Sequence, residues 1–159
     1  MSDPDVQHAR EALCLLDHLV VQDIFLTETA FHADVVLPAS ACPEKTGTFT
    51  NTDRRMQMAR AAVPMPGDAR QDWRIIQEIG LRMGLDWTYA GPADVFAEMA
   101  AIMPSLAHIS WERLEREGAV TYPARAEGSP SEEILFGDGF PTESGRARIA
   151  PARLAPPDE

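Results

Sequence analysis

The feature that most constrains the fold is a pair of short apolar segments, residues 19–22 and 34–37, joined by a short connection. The first segment leads into Asp23, and the second is stopped by Pro38. Between them, Thr27 can cap a short helix in residues 27–33. A strand, a helix and a strand in so few residues form a compressed βαβ unit, which implies parallel pairing of the two strands. The chain is therefore predicted to have an α/β fold.

A change in hydrophobic period then predicts an antiparallel element. From residue 46 to residue 59, polar and apolar side chains alternate with a period of two, as expected for strands with one buried face. Asn51, Thr52 and Asp53 lie in the middle of this region and favour a turn. We expect a β-hairpin here.

Three helices are predicted downstream from their end signals. Asp68 and Gln71 have the spacing of a capping box, which would open a helix that ends at Gly84. The second is expected to start at Gly91-Pro92 and the third to run from a Ser110 cap to Gly118.

The region after Pro123 contains more turn-forming residues and fewer apolar ones. We therefore divide the chain into an α/β segment with a helical extension, residues 1–123, and an irregular C-terminal segment, residues 124–159. In the second segment, residues 140–150 could form a hairpin, and the tail, residues 155–159, is expected to be disordered.

Charge and hydropathy exclude several partners. The chain has 159 residues and a formal net charge of −11, and nucleic acids and anionic membranes require a basic surface. No apolar run approaches the roughly 18–20 residues of a membrane span, and the N-terminus lacks an apolar signal core. We expect a cytoplasmic chain without nucleic-acid or membrane partners.

The sequence predicts no catalytic residue and no metal ligand. Cys14 and Cys42 are too few and too far apart for a disulfide framework or a cluster site, and the four histidines have no metal-binding spacing. Cys14 lies among apolar residues and is expected to be a buried thiol. No nucleophile elbow and no glycine-rich phosphate loop occurs.

Asp23 is the sharpest binding-site candidate, because polar groups at the carboxyl ends of parallel strands line the ligand crevice of open α/β sheets. Its carboxylate could accept two parallel hydrogen bonds from a planar edge such as that of guanine. The alternative is that Asp23 only caps the following turn.

The other candidates also have structural alternatives. Thr27 could touch a phosphate or only begin a helix. Glu44 and Lys45 could be an ordinary solvated ion pair, and Gly47 could be needed only for its backbone freedom.

Several linked blocks of the sequence resemble the formate dehydrogenase catalytic subunits of the molybdopterin oxidoreductase family. Residues 22–39 read QDIFLTETAFHADVVLPA, residues 44–51 read EKTGTFTN, and a helix containing Asp72-Trp73 follows. A weaker match covers residues 140–151, FPTESGRARIAP. The resemblance covers most of residues 18–84 and is nearest to cytosolic, NAD-linked forms.

The resemblance implies a Rossmann-like cofactor domain and a function in formate oxidation. Such enzymes hold molybdenum, or tungsten, on molybdopterin guanine dinucleotides beside an iron–sulfur cluster, and they oxidise formate to carbon dioxide. By analogy, Gln22, Asp23 and Thr27 would line the pocket for one dinucleotide. Glu44, Lys45 and Gly47 would shape the adjoining loop, while the cofactor supplies the chemistry.

The same resemblance implies that much of the enzyme lies outside this chain. The family's cluster cysteines, its metal-ligating cysteine or selenocysteine and its active-site histidine and arginine have no counterparts here. The expected partners are the remainder of the catalytic subunit and electron-transfer subunits of the diaphorase type, and the isolated chain is expected to be inactive. The alternative is a non-catalytic binding or assembly module derived from the same family.

Overall fold

The computed structural model describes residues 3–152 as four helices and five strands. In chain order these are α1 Val6–Cys14, β1 Val20–Asp23, β2 Val35–Pro38, β3 Gly47–Thr50, β4 Arg55–Ala59, α2 Asp72–Arg82, α3 Pro92–Ile102, α4 Trp111–Glu117 and β5 Ala119–Thr121. Short 3₁₀ turns occupy Ala30–His32, Cys42–Glu44 and Pro104–Leu106. The tail predicted to be disordered lies outside the described residues.

Strands β1 and β2 form the predicted parallel pair. Their register runs from Val20 opposite Val35 to Asp23 opposite Pro38. The connection contains the 3₁₀ turn Ala30–His32 in place of the predicted α-helix, because so short a connection has room for little more than one turn. The α/β character predicted from the sequence is confirmed.

A separate antiparallel sheet contains β3, β4 and β5, with β4 in the centre. The predicted hairpin between β3 and β4 is confirmed, with Gly47 opposite Ala59 and Thr50 opposite Met56. Strand β5 pairs along the other edge of β4 and was not predicted, because three residues are too short a run to show a period.

The hydrophobic core lies between this sheet and the helices α3 and α4. Its buried members are Met56, Phe96, Leu106, Ile109, Leu114, Val120 and Ala124. Leu114 has no exposed surface, and the Phe96 ring packs edge-on against Trp111 with centroids 6.1 Å apart. The second half of the chain therefore carries the packing that a folded domain needs.

The first part of the chain buries very little. Between residues 3 and 46, the buried residues are Ala30, Ala39 and Ser40, and α1 buries none. Phe25 is 73% exposed and Phe31 is 79% exposed. Since parallel sheets are normally covered on both faces, the β1–β2 pair presents apolar surface that this chain leaves open.

The predicted capping box at Asp68 is wrong. Helix α2 begins at Asp72, and the side chain of its cap residue, Gln71, makes no capping hydrogen bond. The physical reason is an extended segment before the helix, in which Arg70 pairs with Ala39 at the end of β2. That pairing delays the helix by several residues.

The third helix, α4, follows its end signals. The Ser110 hydroxyl accepts a hydrogen bond from the Arg113 backbone N–H at 3.1 Å, and Gly118 ends the helix with a φ of 74°. A left-handed residue at this position favours glycine. The predicted start of α3 at Gly91-Pro92 is also confirmed.

Two other expectations are corrected by the structure. Cys14 is exposed, because the contact of its Sγ with the exposed His32 ring, at 3.7 Å from Nδ1, does not cover it. In the region where a C-terminal hairpin was predicted, the described residues form a turn without strands, closed by the Phe140 N–H donating to the Gly145 carbonyl at 3.0 Å. Within residues 3–152, no helix is both long and apolar enough to cross a membrane.

Candidate functional site

The candidate site lies at the edge where strands β1 and β2 both end. Because the strands are parallel, their carboxyl ends Asp23 and Pro38 lie side by side. The Ala39 N–H donates to the Asp23 carbonyl oxygen at 3.1 Å and fixes the start of the next loop at the same edge. The polar residues that follow the two strands are thereby gathered on one edge.

Asp23 holds the turn that follows β1. Its Oδ1 accepts hydrogen bonds from the backbone N–H groups of Ile24 at 2.7 Å and Phe25 at 3.4 Å. Its Oδ2 accepts from the Thr27 hydroxyl at 3.3 Å. Asp23 therefore does cap the turn that follows it, as the alternative to a ligand role predicted. A carboxylate offers about four acceptor positions, and these three contacts leave one of them, on Oδ2, free for a ligand.

Glu44 stabilises its own loop. Its Oε2 accepts from the Ala41 N–H at 2.9 Å, while the Glu44 N–H donates to the Ala41 carbonyl at 3.0 Å. The ordinary Glu44–Lys45 ion pair considered from the sequence is not what forms. Glu44 instead closes the 3₁₀ turn Cys42–Glu44 that leads towards β3.

Lys45 instead joins the loop to helix α2. Its Nζ lies 2.5 Å from Oδ2 of Asp72 and 3.0 Å from the Ser40 carbonyl oxygen. The other oxygen of Asp72, Oδ1, accepts a hydrogen bond from the Gln22 Nε2 at 2.8 Å. Gln22 and Lys45, two predicted site residues, are thus brought together by a third residue.

Asp72 is the functional candidate that sequence reasoning missed. It lies 27 positions after Lys45 and 50 after Gln22, so no local pattern joins the three residues. The available signal was an acidic residue in the first helical turn, which is typical of helix starts in general. The long-range contacts of Asp72 could only be found in the fold.

The pKa of the Asp72 carboxyl lies below its ordinary value. Partial burial alone would raise this pKa, but the hydrogen bonds from Lys45 and Gln22 and the charge of Lys45 favour the ionised form and outweigh it. Asp72 is therefore an anion at neutral pH, matched to two donors.

This shift gives a prediction for the pH dependence of stability. Because folding lowers the pKa of Asp72, its ionised form stabilises the fold above the unfolded pKa of about 3.9. The contribution is lost as the pH falls through the lower folded value. Asp72→Asn should lower the melting temperature at pH 7, and the difference from wild type should shrink as the pH falls from about 4 towards 2.

Circular dichroism melts at a series of pH values measure this difference. Since the Asp72 side chain is 39% exposed, we expect an effect at neutral pH of at most about 1 kcal/mol. Asp68→Asn is the matched control, because it removes the same charge from an exposed position nearby. A difference that does not change with pH would contradict the assignment.

The structure does not support the alternative explanation of Gly47, that a glycine is needed there for its backbone freedom. It is the first residue of β3, pairs with Ala59, and does not adopt a positive φ, so backbone freedom does not explain it. A Cβ added at Gly47 would meet no atom of the chain within 4 Å. The position therefore borders open space, which a ligand backbone or ring could approach.

Two further features lie close to this edge. Ser40 is 2% exposed, and its hydroxyl oxygen has no hydrogen-bond partner in the structure. A groove of about 520 Å³ runs beside β2 and α2 and is lined by Leu37, Pro38, Asp68, Arg70, Ile75, Glu78, Ile79 and Arg82. None of the six predicted site residues lines this groove.

The site provides binding groups and no reactive pair. Asp23 and Thr27 form one hydrogen-bonded unit, and Gln22, Asp72 and Lys45 form a second. Among residues 3–152, no group of three or more histidine, cysteine, aspartate or glutamate side chains could hold a metal ion. The arrangement can therefore bind and orient a polar ligand.

A family model and the most similar relatives point to the same protein family. Residues 1–82 match the family model described as molybdopterin oxidoreductase. The chain is 46% identical over 153 residues to the "F420-dependent formate dehydrogenase subunit alpha" of Methanocaldococcus jannaschii, covering 95% of this chain and 23% of that protein. It is also 46% identical over 149 residues to YrhE of Bacillus subtilis, which is named as a candidate formate dehydrogenase, covering 93% of this chain and 15% of YrhE.

The fold also matches a solved structure. Acetylene hydratase from Pelobacter acetylenicus superimposes with a TM-score of 0.63 over 88% of this chain and 19% of that chain, at 24% identity. At this identity the likeness concerns the fold alone. The chain thus spans less than a quarter of the length of each of these three proteins.

Proposed function

Because the chain belongs to the molybdopterin oxidoreductase family, we propose that it is the segment of a formate dehydrogenase catalytic subunit that helps to bind one molybdopterin guanine dinucleotide. The family implies a molybdopterin cofactor. The single observation that carries the finer proposal is the position of Asp23, a carboxylate with spare acceptor capacity at the shared end of two parallel strands.

The chemistry of the residues fits a guanine dinucleotide. The ring N–H and exocyclic amine of guanine are two donors on one edge. The Asp23 carboxylate can accept from both, one on each oxygen, when the long 3.4 Å contact from the Phe25 N–H gives way. The Thr27 hydroxyl is already held by Asp23, which fixes its position beside that carboxylate. Open space at Gly47 allows a ligand to approach the backbone closely.

In this proposal the cofactor and the residues of the chain have different roles. The bound cofactor, with molybdenum or tungsten, supplies the redox chemistry of formate oxidation. The residues of this chain bind and orient it: Asp23 accepts hydrogen bonds, Glu44 holds the loop in shape and Lys45 ties that loop to helix α2. The iron–sulfur cluster belongs to another part of the subunit in this proposal.

The first partner we propose is the remainder of the same catalytic subunit. The relatives are several times longer than the chain, and the exposed apolar side chains of residues 3–46 include Leu15, Leu16, Phe25, Leu26 and Phe31. So many large apolar side chains left exposed in one segment fit an interface with the rest of the subunit. Electron-transfer subunits of the diaphorase type are the second proposed partner, on the strength of the resemblance to NAD-linked forms.

The proposal is tested on the catalytic subunit that contains this chain. The purified subunit should release guanine nucleotide on mild acid hydrolysis, in proportion to its molybdenum or tungsten, and should reduce a viologen dye with formate. A subunit that releases no guanine nucleotide would overturn the proposed binding function. Nucleotide without formate-dependent reduction would favour a binding or assembly module.

A separate prediction concerns the chain by itself. The purified 159-residue chain should not reduce viologen with formate, because the proposed site binds a cofactor without supplying the metal ligands or electron path. The measurement is dye reduction under anaerobic conditions, with the complete subunit as the positive control. Formate-dependent reduction by the isolated chain, above a buffer blank, would contradict the prediction.

A further inference from the structure

Asp72 connects three separate parts of the candidate site. It is the first residue of α2, it accepts from Gln22 at the end of β1, and it pairs with Lys45 in the loop before β3. The two contacts use different oxygens of one carboxylate, Oδ1 for Gln22 and Oδ2 for Lys45. The side chain therefore fixes the separation between a strand end and a loop.

The Asp72 carboxylate accepts from both neighbours in the orientation that they have in the structure. The Gln22 Nε2 and the Lys45 Nζ are both donors and need an acceptor each. An asparagine at position 72 would offer Lys45 only an uncharged oxygen, and it would keep Gln22 only if the Gln22 amide turned so that its own oxygen accepts from the asparagine N–H₂. An alanine would offer neither contact. What only a carboxylate supplies here is a negative charge on the oxygen that Lys45 contacts.

The residues that Asp72 holds adjoin the proposed cofactor contacts. Gln22 directly precedes Asp23, and Lys45 lies two residues before Gly47. Lys45 also donates to the carbonyl oxygen of the buried residue Ser40, at 3.0 Å, so the lysine draws the start of the loop inward. Loss of Asp72 would release both sides of this edge together.

We infer that Asp72 is a positioning residue of the cofactor site, whose two carboxylate oxygens hold strand β1 and the loop at residues 44–47 in the geometry that receives the guanine dinucleotide. This inference rests on the proposed function, and it assigns a role to a residue outside the six predicted contacts. Asp72 need not touch the cofactor, because it acts through Gln22 and Lys45.

A purely structural role is the competing explanation. In that case Asp72 only favours the start of α2, where an acidic side chain suits the helix dipole. Its replacement would then destabilise α2 while leaving the loop and the bound nucleotide unchanged. The two explanations differ in which segment loses protection when Asp72 is replaced: helix α2 in the structural one, and the loop at residues 44–47 in the positioning one.

The first experiment measures hydrogen exchange in the 159-residue chain. In Asp72→Asn, backbone amides in residues 44–47 should exchange up to about fivefold faster than in wild type, since a charge-assisted contact holding the loop is lost. Amides of the core strand β4 should keep their wild-type rates. Asp72→Glu, which keeps the carboxylate, should recover part of the protection, and Asp68→Asn should have no effect.

The second experiment measures guanine nucleotide retained by the catalytic subunit after gel filtration. Asp72→Asn should raise the dissociation constant up to about fivefold and Asp68→Asn should leave it unchanged. Unchanged exchange at residues 44–47, or full retention of nucleotide by Asp72→Asn, would overturn the positioning role. If Asp72→Asn retains nucleotide and Asp23→Ala does not, only this inference fails. A wild-type subunit without nucleotide overturns the proposed function and this inference with it.

Discussion

Asp23→Ala in the complete catalytic subunit is expected to weaken retention of the guanine dinucleotide about ten- to a hundredfold while the fold stays intact. The physical reason is the loss of a charge-assisted pair at a desolvated site, which costs about 1.5–3 kcal/mol. The measurement is molybdenum and guanine nucleotide per subunit, taken together with the melting temperature. Both quantities are needed, because Asp23 also holds the turn after β1.

Asp23→Asn separates the ligand role from the capping role. Asparagine caps about as well as aspartate, so the turn at Ile24 should be kept. Its amide cannot accept two parallel hydrogen bonds from guanine, so nucleotide should be lost as in Asp23→Ala. Full cofactor content in both variants, with a lowered melting temperature in Asp23→Ala alone, would leave Asp23 a structural cap.

Leu114→Ala is expected to destabilise the chain by about 2–5 kcal/mol, the range for removing a fully buried leucine. Leu114 has no exposed surface and belongs to the core cluster between α3, α4 and the antiparallel sheet. The measurement is the free energy of unfolding from urea titration, with the slope checked for two-state behaviour.

Leu81→Ala is the matched control for this core prediction. It makes the same truncation in helix α2, where the Leu81 side chain is 45% exposed, and should cost less than about 1.5 kcal/mol. Equal losses in the two variants would show that the core is not where the structure places it.

The sequence predicts the elements that local chemistry controls. The parallel pair, the hairpin between β3 and β4 and the helix from Ser110 to Gly118 all have their signals within a few residues. Apolar runs, a period of two, a capping hydroxyl and a left-handed glycine each act over such short distances. These predictions were therefore confirmed.

Distant contacts account for the features that were missed or wrong. Cys14 was expected to be buried from its apolar neighbours, yet burial depends on what packs over α1. The capping box at Asp68 has the right spacing, but the pairing of Arg70 with Ala39 keeps that segment extended. Asp72 acquires its role only when β1, the loop and α2 meet.

The uneven distribution of buried side chains links ligand capture to assembly. Segments with few buried contacts open locally at the lowest free-energy cost, and here these are residues 3–46, which include Asp23 and Glu44. Under the proposed function, the free-energy cost of ordering that edge is shared by the bound cofactor and by the part of the subunit that covers the exposed Phe25 and Phe31. By thermodynamic reciprocity, each event strengthens the other by the same factor, so a partly assembled subunit should hold its cofactor loosely and a complete one tightly.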